Sequence, residues 1–304
     1  MFGAPPVIET EIFTRLPDEL RIGGETEWTR KRGSGPLHSF LEGPSFDREG
    51  NLYCVDINHG RIFRVSPEGR WHVLARYDGN PNGLKIHRDG RLFVTDQKQG
   101  LLIFDPRTGE RLSRLAGPSG TLFDGPNDLV FADDGTLYFT DPGGSSLENP
   151  VGRVYRLREG GAPELVAENL AYPNGLVLNE TGSALLIALS RTLQVIRAPL
   201  GTGQGLAQKC GVFIQLSGGL AGPDGLALDD EGSLAVAHSG LGTVWLFSRL
   251  GEPLFRIKSC AGIRTTNMAY GGPDRRTLFI TESEDGVILR ARLPVAGRLM
   301  YSHR

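Results

Sequence analysis

Short apolar runs recur along this chain in pairs, and each pair is joined by a polar turn. One copy reads Gly222-Pro223-Asp224-Gly225-Leu226-Ala227-Leu228, then a turn through Asp230-Glu231-Gly232, then Leu234-Ala235-Val236-Ala237-His238. Five further copies follow the same plan. The second run ends Leu52-Tyr53-Cys54-Val55-Asp56, Leu92-Phe93-Val94-Thr95-Asp96, Leu137-Tyr138-Phe139-Thr140-Asp141, Leu185-Leu186-Ile187-Ala188-Leu189 and Leu278-Phe279-Ile280-Thr281-Glu282 in the others. Both runs are apolar on both faces, which predicts strands buried on both faces. Turns such as Arg88-Asp89-Gly90 and Asp133-Asp134-Gly135 place a glycine where a hairpin needs positive φ. A third strand is expected at residues 61–65, 101–105, 153–157, 193–198, 243–247 and 287–292. A weaker fourth is expected at 71–75, 111–116, 164–168, 212–216 and 254–258. No long helix-period segment occurs.

Aligned on the proline of the first run, the copies put Ser45, Asn82, Asn127, Asn174 and Asp224 at one position. Asn267 takes that place in the sixth copy, where a threonine replaces the proline. Successive gaps of 37, 45, 47, 50 and 43 residues suit a four-stranded propeller blade. The expected fold is therefore all-β, a six-bladed propeller in one domain spanning residues 1–304. The sixth copy lacks an outer strand, and closing the ring removes an exposed sheet edge. Residues 1–40, an N-terminal extension, are expected to supply that strand from 7–14 or 27–30.

Composition narrows the function classes. The 304 residues include 42 glycines, as a turn-rich β domain requires, and the net charge is −2 with no basic run. This argues against nucleic-acid or anionic-membrane partners. No apolar stretch reaches membrane-spanning length. The N-terminus lacks a signal-peptide pattern, so a cytoplasmic location is expected. Three cysteines make no disulfide framework. Cys54 reads as core, and Cys210 and Cys260 lie near loops. Neither a CxxC nor a zinc-type His/Cys spacing is present.

Propeller topology gathers the starts of all six inner strands at one mouth of the central channel. A lone Pro-Asn-Gly is a turn. Several asparagines and aspartates around one narrow channel are polar groups that need water or a cation. An all-oxygen donor set favours a hard divalent ion, calcium first, with Zn, Mn, Mg or Fe as alternatives. Asp224 supplies one carboxylate. Glu42, just before Gly43-Pro44, supplies a second.

Glu42-Gly43-Pro44, Gly125-Pro126-Asn127-Asp128, Pro173-Asn174-Gly175-Leu176 and Gly222-Pro223-Asp224-Gly225-Leu226 occur in order and at blade spacing. Together they resemble the senescence-marker-protein, gluconolactonase and luciferin-regenerating-enzyme family, over about residues 41–293. The resemblance implies a six-bladed propeller with a divalent metal in its channel. It implies Glu42, Asn174 and Asp224 as metal ligands, Asn127 at the metal or its substrate, and Asp224 as base or nucleophile. The implied reaction is hydrolysis of a small lactone. Residues 1–40 find no match in it.

The remaining candidates are loop and rim residues. Asn82, Asn127, His238, Asn267 and Asp141 are expected to contact substrate, with Lys98 and Arg191 as further polar groups. Asp56, Asp96 and Asp141 recur at strand ends and read mainly as structural caps. The loop over 141–152 is the longest on that face and a candidate lid. Two other readings keep the fold: an organophosphate or aryl-ester hydrolase, and a non-catalytic calcium-binding propeller. The sequence does not set the oligomeric state.

Overall fold

A computed structural model describes residues 3–201 and 205–304. Six sheets succeed one another along the chain. Blade 1 comprises Leu41–Phe46, Leu52–Asp56, Arg61–Val65 and Trp71–Arg76, running outward from the axis. Blades 2 to 5 repeat this with inner strands Pro81–Ile86, Leu129–Phe131, Pro173–Leu178 and Gly222–Leu228. Blade 6 has Thr265–Gly271, Thr277–Glu282 and Val287–Arg292, and its outer strand is Glu11–Arg15, antiparallel to Val287–Arg292. The ring is thus closed by the N-terminal segment. Val7–Glu9 adds a fifth, parallel strand to blade 5.

Burial follows the apolar pattern. The inner strands of blades 1, 4 and 6 are buried at every residue, while the outer Arg111–Leu115 is almost wholly exposed. The core is divided among the six junctions between neighbouring blades. Leu84 and Val94 pack with Tyr53 and Val55, and Leu226 and Val236 pack with Val177 and Leu186. The last junction joins Ala269, Phe279 and Ile288 of blade 6 to Leu41, Cys54 and Phe63 of blade 1. Burying such faces at about 25 cal/mol per Å² is what holds blades that share no backbone ladder.

Three features were not legible in the residue pattern. Residues 27–30 are not a strand but part of the short α-helix Glu27–Arg32, opened by Thr26, whose hydroxyl accepts from the Thr29 N–H, and ended by Gly33 at φ 64°. A girdle of hydroxyls also ties neighbouring inner strands together. Thr95 donates to the Asn127 carbonyl, Thr140 to the Asn174 carbonyl at 2.8 Å, Ser190 to Pro223 at 2.7 Å and Thr266 to Leu41 at 2.9 Å. Finally, the C-terminal residues cover one end of the channel: Tyr301 stacks on Phe131 at 5.0 Å, and Arg48 donates to the Ser302 carbonyl at 2.8 Å. All three cysteines are free.

Candidate metal and substrate site

Strand register decides which residues share a level in the channel. Leu41 pairs with Asp56, Pro81 with Asp96, Pro173 with Leu189, Pro223 with His238 and Thr265 with Glu282. The next residue inward is therefore Glu42, Asn82, Asn174, Asp224 or Thr266, and Asn127 holds the place in blade 3. Alignment on proline puts Ser45 at this level, and the register corrects that: Ser45 pairs with Tyr53, three steps further down. Ser45 lies toward the C-terminal plug, where its hydroxyl meets the Met300 sulfur at 4.0 Å. Asn267 is likewise displaced by one. It is level with Gly43, Gly83, Asp128, Gly175 and Gly225.

This second level explains the glycines. A Cβ on Gly175 would lie 2.4 Å from the Asp224 carbonyl oxygen, and one on Gly225 would lie 2.2 Å from Asn267 Oδ1. Inner strands approach too closely for side chains there, except in blades 3 and 6, where Asp128 and Asn267 stand instead. These two meet across the axis. Asn267 Nδ2 donates to Asp128 Oδ2 at 3.2 Å and to Glu42 Oε2 at 3.0 Å. Glu42 Oε2 also accepts from the Gly43 N–H at 2.7 Å, and Asp128 Oδ1 from the Leu129 N–H at 2.8 Å. Asp128 is thus a third carboxylate in the channel. The motif that carries it, Asn127-Asp128, drew attention to the asparagine alone; the glycine at this place in four sister copies was the available signal.

Charge accumulates here. Burial first, and then the Asp224 and Asp128 carboxylates, push the Glu42 carboxyl well above its ordinary range, against the Gly43 and Asn267 donors. Burial and the Asp128 charge push Asp224 up to about 8, while the Arg32 guanidinium and the Asn174 amide pull it down. Asn174 Nδ2 is held by the Ser190 hydroxyl at 3.2 Å, which leaves its carbonyl oxygen for the channel. Asn82 and Asn127, each 4% exposed as residues, form no side-chain hydrogen bond with the protein among the described residues. Unpartnered amides and crowded carboxyls are what a bound cation would satisfy. Among the described residues no three His, Cys, Asp or Glu side chains group as a metal site by themselves. The donor set that fits is mixed, two carboxylates with amide oxygens, of the hard-oxygen kind.

The other candidates fall elsewhere. His238 is fully buried. Its Nε2 bonds the Gly218 carbonyl at 3.0 Å and its Nδ1 accepts from the Trp245 indole at 3.3 Å, so both ring nitrogens are taken. Asp141 Oδ2 accepts from the Asp124 N–H at 3.0 Å, and burial raises its carboxyl to about 6. It caps the entry to blade 3, as Asp56 and Asp96 cap blades 1 and 2 by accepting from Phe40 at 2.7 Å and Lys98 at 2.8 Å. Lys98 pairs with Asp78 and Glu27. The long loop of blade 3 is pinned by Ser145, which donates to Leu170 at 2.6 Å and accepts from Tyr172 at 3.0 Å.

A closed six-bladed ring with oxygen donors converging at one end of its channel defines a class of channel-site propellers. Within that class the chain belongs to the SMP-30/gluconolactonase/LRE-like family, whose pattern matches residues 40–284. The lactonase drp35 of Staphylococcus aureus is 31% identical over 229 residues, covering 71% of this chain and 69% of that protein. Among solved structures, a calcium-binding regucalcin from Agrobacterium tumefaciens superposes with TM-score 0.76 at 22% identity, covering 98% of this chain and 99% of the other. A gluconolactonase from Xanthomonas campestris gives TM-score 0.73 at 24% identity, over 84% and 86%. These likenesses carry the fold.

Proposed function

We propose that this chain is a lactone hydrolase that uses one divalent cation, calcium by preference, held by Glu42, Asn174 and Asp224 with Asn127 beside them. The observation that carries the reading is the convergence of Glu42 and Asp128 on the Asn267 amide, at 3.0 and 3.2 Å, in a buried channel where burial first, and then neighbouring carboxylates, raise the Glu42 and Asp224 carboxyls. Family membership supports it, as does the name of the Staphylococcus relative, a lactonase. When bound, the cation would supply Lewis-acid polarisation of the lactone carbonyl.

The chain's own residues do the rest. Asn82 and Asn127 present free amides to a bound ring, orienting it over the carboxylates. Asp224 either takes the proton of the attacking water or attacks the carbonyl carbon itself. In the first route the ring C–O bond breaks and the departing oxygen takes that proton, giving a hydroxy acid; in the second the same bond breaks as an acyl-aspartate forms, the departing oxygen takes a proton from water, and the hydroxide so formed cleaves the acyl-aspartate to the same acid and free Asp224. Asn267 keeps Glu42 and Asp128 in place.

Ring opening liberates a carboxylic acid, so proton release in weak buffer follows it directly. Chelation is expected to abolish proton release from a simple γ- or δ-lactone, and calcium to restore it. Asp224→Asn is expected to lose turnover while urea unfolding stays cooperative. Turnover retained by Asp224→Asn would overturn the role given to that residue. The calcium-binding regucalcin neighbour favours a second reading, a propeller that binds calcium without catalysis. That reading requires calcium binding with no hydrolysis of lactones, aryl esters or phosphotriesters.

A further inference from the structure

The helix Glu27–Arg32 lies outside the part of the chain that the family pattern covers, yet it sits at the site. It is moored to the loops of blades 1 and 2. The Thr26 hydroxyl bonds Asn58 Oδ1, the Trp28 indole donates to Gln97 Oε1 at 3.0 Å, and Lys98 reaches Glu27 at 3.8 Å. Trp28 is buried against Phe40, ring centres 5.1 Å apart. Arg32 then lies over both rings, 4.6 Å from the Trp28 centroid and 5.8 Å from that of Phe40. Phe40 is two residues before Glu42.

The same construction recurs in blade 4. Arg191 lies 5.0 Å over the ring of Tyr172, two residues before Asn174. In blade 6 Arg264 stands where the ring stands in blades 1 and 4, two residues before Thr266, and stacks on no aromatic ring among the described residues. None of the three guanidinium groups forms an ion pair among the described residues. Two acidic residues on the same face have cations of their own, Asp78 with Lys98 and Asp124 with Arg153 at 2.8 Å, whereas Glu284 and Asp285 in the blade 6 loop form no ion pair among the described residues. Stacking on an aromatic ring fixes a guanidinium without neutralising it, leaving its donors free for a planar oxyanion.

We propose that Arg32 and Arg191 form a cationic rim above the carboxylate floor, and that the lactone taken by this protein carries a carboxylate group which the rim binds, Arg32 foremost. This rests on the lactone-hydrolase reading. An anionic substrate would be repelled by Glu42, Asp128 and Asp224 unless positive groups met its anionic end, and the rim places them at the other end of the path.

The test compares 5-oxotetrahydrofuran-2-carboxylate with uncharged γ-valerolactone, using the full chain with calcium and following proton release. The wild type is expected to favour the carboxylate in kcat/KM. Arg32→Met is expected to reduce that preference about tenfold, through KM, and Arg32→Lys to recover part of it, since lysine keeps the charge but loses the fork. An equal fall for both lactones would reduce Arg32 to a structural residue and overturn the proposal, as would wild-type preference for the uncharged ring. If the wild type opens neither lactone, it is the hydrolase reading that fails. The rim is then tested alone by calorimetric titration of tetrahydrofuran-2-carboxylate, with calcium and with chelator. About tenfold weaker binding to Arg32→Met supports the rim, and equal binding sinks it.

Discussion

Replacing Asn267 by leucine tests the floor of the site most directly. Asn267 is buried, and its amide nitrogen donates to two carboxylates, Glu42 at 3.0 Å and Asp128 at 3.2 Å, while its Oδ1 accepts from the Met268 N–H at 2.8 Å. Leucine keeps the branching at Cγ and removes all three bonds. Hydrogen bonds to charged groups contribute roughly 1.5–3 kcal/mol each, and an abandoned buried N–H costs about 1 kcal/mol or more. Glu42 carries a proton more readily than an ordinary carboxyl, which lessens its dependence on the donor. A net loss of about 3 kcal/mol in chelator follows. With an m-value of about 3 kcal/mol/M, the urea midpoint should fall by about 1 M, followed by tryptophan fluorescence. In saturating calcium the deficit should narrow, because the freed oxygens regain a positive partner. Coincident midpoints in chelator would refute the account of the floor. A deficit that widens in calcium would show Asn267 to be part of the cation's own shell.

Two further outcomes follow from the same geometry. Gly225→Ala would place a Cβ 2.2 Å from Asn267 Oδ1, so it should cost about 2 kcal/mol and weaken calcium binding measured by calorimetry; Gly211→Ala, with nothing within 4 Å, is the neutral control. In chelator, stability should fall as pH rises from 7 to 8: the folded protein keeps protons on Glu42 and on Asp224, raised to about 8, that the unfolded chain has released since about pH 4. Buried His238 and half-buried His38 and His303 act in the opposite sense, but their lowered values confine that to pH below their ordinary 6.5. Urea unfolding at pH 7, 7.5 and 8 reads the slope, and stability that rises across this range would contradict the carboxyl argument.

Much of the fold could be read in the sequence because a propeller writes its period in apolar runs. Strands at Arg61–Val65, Thr243–Phe247 and Val287–Arg292 coincide with the expected ones, since each is bounded by a turn and buried on its inner end. The site was less legible. Proline marks the start of most inner strands but stands three residues further along in blade 1, after Glu42 rather than before it. Only the pairing with the second strand puts Glu42 level with Asn82 and Asn174. Asp128 escaped, and Asn267 was placed one level off, for a related reason. Their importance lies in departing from a glycine level, and that level exists only once six strands crowd one axis. His238 looked chemical in the sequence, whereas its partners, Gly218 and Trp245, come from a loop and a strand that no local pattern links to it.

The distribution of charge around the channel gives the last step. The carboxylates stand in alternate blades, Glu42 in blade 1, Asp128 in blade 3 and Asp224 in blade 5. Below them the inner strands present Ser45, Lys85, Val130, Val177, Ala227 and Ala269, and Lys85 is the one charged group of the six, 4.0 Å from Asp128 Oδ1. One lysine offsets one carboxylate. The two whose values burial drives upward, Glu42 and Asp224, are the two proposed as metal ligands, and a divalent ion is the charge that would complete the set. Without it, neutrality is reached by holding protons. Binding of calcium near pH 7 should therefore expel protons, which calorimetry in buffers of different ionisation enthalpy measures as a slope. A slope near zero would mean that the carboxyls are already ionised in the ion-free channel, and that Lys85 is not their only compensation.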